Sequence, residues 1–224
     1  MSRSVFDPAF ADLPQVLPIF PLPQATLLPG LILPLNIFEP RYLAMVGDAL
    51  GAGRLIGMVQ PDATRGGDDD VVVYPVGCAG RITSFKESND GRFLINLTGV
   101  ARFRIDQELE MQHGYRRVRP DWSGFEEDLV ETELPELDRE RLRTVVQGFL
   151  QRRGIELEWK AVDALSNQRL VDVLCMQLPF SVEEKQLLLE GRSVSERAEL
   201  LGTLAMMAAQ EGGGDVDGAG SVRH

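Results

Sequence analysis

Short runs of β-branched and aromatic residues, broken by proline and glycine, fill residues 13–125, whereas from Pro135 onward the apolar positions recur at helical spacing. The two periods predict a β-rich half (13–125), a helical half (135–210) and a glycine-rich tail (211–224) that lacks apolar anchors and is expected to be disordered. Leu17, Ile19 and Phe20 open a first strand, and 55–59 and 71–74 read as two more on either side of the turn-prone, acidic 61–70. The clearest hairpin pairs 81–85 with 92–97 around Asn89-Asp90-Gly91. Alternation then continues through Val100, Phe103 and Ile105, which sends Arg102 and Arg104 to the opposite, solvated face.

Within the β-rich half, 40–49 reads as a helix, with Pro40 in its first turn, Tyr42, Leu43, Met45, Val46 and Ala49 inward, and Gly51 or Gly53 as its stop. In the second half, Leu142, Val145, Val146, Phe149 and Leu150 form one apolar stripe that ends by Gly154. Leu157, Trp159, Val162 and Leu165 mark a second short helix, and Leu170, Val173, Leu174 and Leu178 a third before Pro179. Two capping boxes, Ser181 with Glu184 and Ser193 with Glu196, start two more. No repeat of solenoid length is present.

Charge narrows the range of partners. A formal net charge of -11 over 224 residues repels phosphate backbones, so nucleic acid is not an expected partner. The one local reversal, Arg116, Arg117 and Arg119 beside Tyr115 and Trp122, reads as a solvated strand edge or turn, with a nucleotide patch as the alternative. The two cysteines, Cys78 and Cys175, lie far apart without a CxxC spacing, which fits a reducing, cytoplasmic setting. Asp7, Pro8, Asp12 and Pro14 interrupt any signal-like apolar run, and the greasy stretch 16–38 is cut by proline, so no membrane span is expected.

Candidate chemistry is sparse. The chain has no GxSxG, GxxxxGK[ST] or HExxH, and its two histidines are His113, read as a turn residue before Gly114, and the terminal His224. The acidic runs 68–70 and 126–128 lack the ligand spacing of an EF-hand and read as solvated loops. No catalytic residue, metal site or cofactor is expected.

One pattern is more specific. Leu17-Pro18-Ile19-Phe20-Pro21-Leu22, Leu28-Pro29-Gly30 and Leu33-Pro34-Leu35-Asn36-Ile37-Phe38-Glu39-Pro40-Arg41-Tyr42 resemble the opening of the N-terminal substrate-recognition domain of Lon-type proteases. Gly77-Cys78-Ala79-Gly80-Arg81-Ile82, 97–103 and the closing segments 184–190 and 196–201 are similar to later parts of that family, so the likeness runs from about residue 13 to 210. It implies an α+β fold, a PUA-like β pseudo-barrel followed by a C-terminal α-helical bundle. It also implies a non-catalytic protein- or peptide-binding module without ATPase or peptidase parts. Asn36 departs from the histidine common in the family's LPLHIF segment.

Unfolded or specific protein segments are the expected partners, with a protease as a second candidate; the oligomeric state is left open. Leu22, Leu27, Leu28, Leu31 and Ile32 are the candidate partner-binding residues, about two thirds of them expected to be core. Glu39 and Arg41 are expected to brace the helix start. The alternatives are a small-molecule or nucleic-acid-modifying enzyme on a PUA-like fold, an analogy at fold level, and a structural adaptor.

Overall fold

The computed structural model describes residues 8–65, 71–130 and 137–211, with side chains up to residue 209. The expected disordered tail 211–224 falls almost wholly outside the described residues, as do the acidic positions 68–70. Among the described residues no helix is long and apolar enough to cross a membrane. The chain divides into two compact units, 1–132 with 175–190, and 133–174 with 191–224.

The first unit is built on six strands: β1 (Leu17–Pro21), β2 (Ile32–Ile37), β3 (Leu55–Val59), β4 (Val76–Glu87), β5 (Phe93–Gln112) and β6 (Tyr115–Asp121). They lie in the order β2-β5-β4-β3-β1-β6, with β6 returning to β5. Five strands thus curl into an incomplete barrel, and β2 hangs outside it on the first half of β5. All pairings are antiparallel except β1 with β3. Between β2 and β3 the expected helix forms as α1 (Pro40–Gly51), burying Tyr42, Met45, Val46 and Ala49. Segment 71–74 makes a single bridge, Pro61 to Val73, and not the expected strand.

Phe103 fills the centre of the ring with no exposed surface, among Leu17, Ile19, Val59, Ala79, Ala101 and Val118. Its ring fits because Gly57 and Gly77 carry no side chain; a Cβ on either would come within 3.0 Å of its Cζ. Gly99 permits a closer approach still: a Cβ there would lie 2.1 Å from the carbonyl oxygen of Leu28. That contact is fixed by two backbone bonds, Gly30 N–H to Gly99 O (2.8 Å) and Gly99 N–H to Leu31 O (2.8 Å).

Arg102 takes the face that alternation predicts but not the expected solvation. Its side chain is buried, not solvated, and forks onto Asp128 with Nε to Oδ2 and Nη2 to Oδ1 both at 2.8 Å. Nη1 donates to the carbonyl of Leu189 at 3.1 Å, and the guanidinium lies 5.0 Å from the Phe125 ring centre. Asp128 belongs to the acidic run expected to be solvated; one member of that run is instead the counter-ion of a buried arginine. A buried charge persists only when paired in this way.

α5 (Val182–Glu190) belongs to this unit and not with the other late helices. Polar side chains hold it there: Gln186 Nε2 donates to the Val76 carbonyl (3.0 Å), and Gln60 Nε2 donates to Gln186 Oε1 (3.1 Å). Lys185 Nζ reaches the carbonyls of Gln24 and Met176. Burial among neutral acceptors disfavours its charged form and lowers its pKa. Leu187 is exposed.

In the second unit α2 (Arg139–Arg152) buries Leu142, Val146, Phe149 and Leu150 at the spacing of one helix face. Asp138 caps it by accepting from the Arg141 amide at 3.0 Å. α3 (Trp159–Asp163) is short, and α4 (Asn167–Gln177), which belongs to this unit as far as Leu174, stops ahead of Pro179 as expected. α6 (Val194–Glu211) packs against α2 and is tied to α4 by a buried Arg197 to Asp172 pair at 3.0 Å. The Ser181–Glu184 capping box closes in both directions, the Glu184 amide on the Ser181 hydroxyl and the Ser181 amide on the Glu184 carboxylate; at Ser193 the hydroxyl accepts from the Glu196 amide, but the Glu196 carboxylate takes the Arg192 amide, one residue earlier.

Candidate functional site

Of the five candidate binding residues, Leu27, Leu28 and Leu31 are core, Leu22 is half-buried and Ile32 is 52% exposed. Ile32 begins β2, and its surroundings follow from register. Antiparallel partners share a face and successive residues alternate. Leu33, Leu35 and Ile37 therefore lie over Leu97, Ile95 and Phe93, the buried or half-buried face. Ile32, Pro34 and Asn36 lie on the other face with Thr98, Asn96 and Leu94, and β4 continues that face through Arg81, Ser84 and Lys86.

This outer face of the β2-β5-β4 arm is apolar where it meets water. Ile32 (52%), Leu94 (42%) and, just beyond β2, Phe38 (62%) are all exposed. The Arg92 guanidinium sits 5.8 Å from the Phe38 ring centre and is paired to Asp90 at 3.0 Å. At the hairpin tip Phe85 is also exposed and meets Phe93 edge-on at 4.9 Å, on the opposite face. Grouped exposed apolar side chains of this kind mark contact surfaces more often than scattered ones. Pro34 in the edge strand has no N–H to donate, which discourages sheet extension by another chain.

Among the candidates the structure leaves Ile32 exposed; Leu94, Phe38 and Phe85, which the sequence reading did not single out, are exposed as well. The signal available was the alternation of β2 itself, obscured because two prolines argue against a strand at 29–34. Asn36, the departure from the family pattern, is on the exposed face. Glu39 and Arg41 do bond, Arg41 Nε and Nη2 to Glu39 Oε2 at 3.0 and 2.8 Å, but both are well exposed. A solvated pair of this kind contributes about 0–1 kcal/mol.

The arginine run is spent on neighbours. Arg116 forks onto Glu108 and reaches the Val71 carbonyl; Arg117 bonds the Glu110 carbonyl and Gln112; Arg119 faces Asp106 at 3.7 Å. These are cross-strand pairs between β6 and β5, the strand-edge reading and not a bare cationic patch. Beside them a shallow recess of about 250 Å³ is lined by Val71, Val72, Val73, Pro75 and Ile105, and its titratable groups, Glu108 and Arg116, bind each other.

His113, at φ 48° in the β5–β6 turn, is part of a polar cluster. Asp48 Oδ2 of α1 accepts from Tyr115 OH (2.8 Å) and Gln112 Nε2 (3.1 Å) and meets His113 Nδ1 at 2.8 Å. The Tyr115 and His113 bonds hold the Asp48 carboxyl below its usual range, while burial and the same bond push the Tyr115 hydroxyl up to about 12. Tyr115 therefore stays protonated and serves as a donor strut, not a nucleophile. Among the described residues no group of three or more metal-capable side chains assembles.

The Asp48 cluster has a pH signature. A carboxyl whose pKa is depressed on folding stabilises the fold above its unfolded value, near 3.8, and that contribution is lost as pH falls through the folded value. Asp48→Asn is therefore expected to be less stable than the parent at pH 7, with the gap narrowing below about pH 4. Urea midpoints measured from pH 7 to pH 2.5 check this; a gap constant with pH would show that the carboxylate charge is immaterial.

Comparison with known proteins agrees with the fold and with the sequence likeness. The family model described as the ATP-dependent protease La (LON) substrate-binding domain matches residues 16–205. Lon protease 2 of Myxococcus xanthus is 27% identical over 85% of this chain, and Lon protease 2 of Sorangium cellulosum 30% over 86%. The chain spans about a quarter of those relatives, 23% and 24% of their lengths. A crystal structure of a Lon N-terminal domain protein from Xanthomonas campestris matches with 26% identity and TM-score 0.58, covering 83% of this chain and 96% of that one. The N-terminal domain of Mycobacterium avium complex Lon protease shares the fold at 18% identity and TM-score 0.57. On the strength of a match that takes in the ring, the arm and most of α6, the chain belongs to the Lon substrate-binding domain family.

Proposed function

We propose that this chain binds unfolded segments of other proteins and catalyses no reaction on them, using the outer face of the β2-β5-β4 arm. The observation that carries the reading is the grouping of Ile32, Phe38 and Leu94, large apolar side chains left in water on one strand-built face. A sheet presents them at little ordering cost, and covering the exposed half of each side chain contributes about 0.7–1.5 kcal/mol. Membership of a substrate-binding family supports the same reading. Among the described residues, the polar groups of the recess and around Asp48 are bonded to one another, which supports binding over catalysis. A protein partner in a reducing, cytoplasmic setting is part of this proposal.

The test uses a reduced and alkylated, permanently unfolded protein as the fluorescent probe. Ile32→Ser with Leu94→Ser is expected to weaken its binding at least about tenfold, while the urea midpoint changes little because both side chains already face water. Unchanged affinity sinks the proposal, and so does a loss of affinity that merely follows a loss of fold.

A further inference from the structure

The charge on the arm is opposite in sign to the charge on the chain. Acidic residues outnumber basic ones 34 to 23, yet the outer-face positions given by register include two cations, Arg81 and Lys86, and no carboxylate. Lys86 lies directly across from Leu94, is exposed, and has no ion-pair partner among the described residues. The nearest acids in sequence are engaged or turned away. Asp90 is bound by Arg92, Glu39 by Arg41, and Glu87 lies across from Phe93 on the opposite face.

Resting on the reading that this face binds protein segments, we infer that it selects apolar segments flanked by aspartate or glutamate. The apolar part covers Ile32, Phe38 and Leu94, and the acidic flank meets the Lys86 ammonium. Screening decides between local and total charge: at physiological salt, charges farther than about 8 Å contribute little. An acidic segment seated on the arm therefore feels Lys86 before it feels the net charge of the chain. A basic flank finds no carboxylate on this face to pair with.

Fluorescence anisotropy with three labelled peptides separates the outcomes. All share one leucine- and phenylalanine-containing centre and carry aspartate, serine or lysine flanks. The aspartate-flanked peptide is expected to bind about two- to fivefold more tightly than the serine one, the range for one exposed ion pair, and the lysine-flanked peptide less tightly. Raising salt to about 0.5 M, where the Debye length is a few ångströms, should compress the difference. Lys86→Gln should abolish the preference for aspartate, and Lys86→Glu should reverse it, both with an unchanged urea midpoint. Equal binding of the three peptides, or a preference that survives Lys86→Glu, overturns the inference while leaving the binding function intact. Failure of every peptide and of the unfolded probe overturns both.

Discussion

Arg102→Ala is expected to lower the unfolding free energy by about 3–5 kcal/mol, because it strands a counter-charge where water cannot reach it. The Asp128 side chain is 5% exposed and accepts from the Arg102 side chain through both oxygens. After truncation it keeps only the bond from the residue's own backbone amide at 2.8 Å, and the Leu189 carbonyl loses its donor. Arg102→Lys should recover little, since an ammonium cannot fork onto the carboxylate and reach Leu189 together. The double variant Arg102→Met with Asp128→Leu should recover much of the loss, because two apolar side chains leave no orphaned charge. Urea unfolding of the four proteins gives the result. A cost below about 1 kcal/mol for Arg102→Ala would place the pair among solvated ion pairs.

Gly99→Ala should be the most disruptive single methyl in the ring, at about 3 kcal/mol or more. The added carbon would meet backbone atoms, Leu28 O at 2.1 Å and Leu28 C at 2.8 Å, and backbone cannot swing aside as a side-chain tip can. Leu27, Leu28 and Leu31, all core, ride on the displaced segment. The matched control is Gly47→Ala in α1, where nothing lies within 4 Å of the new carbon and alanine is favoured by up to about 1 kcal/mol. Thermal or urea unfolding of the pair should move them in opposite directions; similar shifts would mean that the 28–31 segment yields freely.

What was legible in the sequence was local. α1, the β4–β5 hairpin and the serine caps of α5 and α6 depend on residues a few positions apart, and their periods and turn signals predict them. The misses are non-local. Alternation sends Arg102 outward correctly, but nothing near it in sequence shows that Asp128 and Leu189 wait there, 26 and 87 residues away. Segment 71–74 has a strand's composition and only one bridge partner, because β4 and β5 pair without it. For the site, burial of Leu27, Leu28 and Leu31 depends on Gly99 letting that segment lie against β5, a contact no run of hydrophobicity reveals.

The position of α5 also bears on how the protein is made. Its side chains bond Val76, Gln60 and Gln24, yet it leaves the ribosome long after the strands it joins, with α2, α3 and α4 synthesised in between. A nascent chain that has completed β6 therefore lacks the acceptor and donor groups that Gln60 and Val76 require. Shortening the gene to the strand-rich portion would deprive the ring of Gln186 and Lys185 in the same way, so this unit is matured only once translation has passed Glu190.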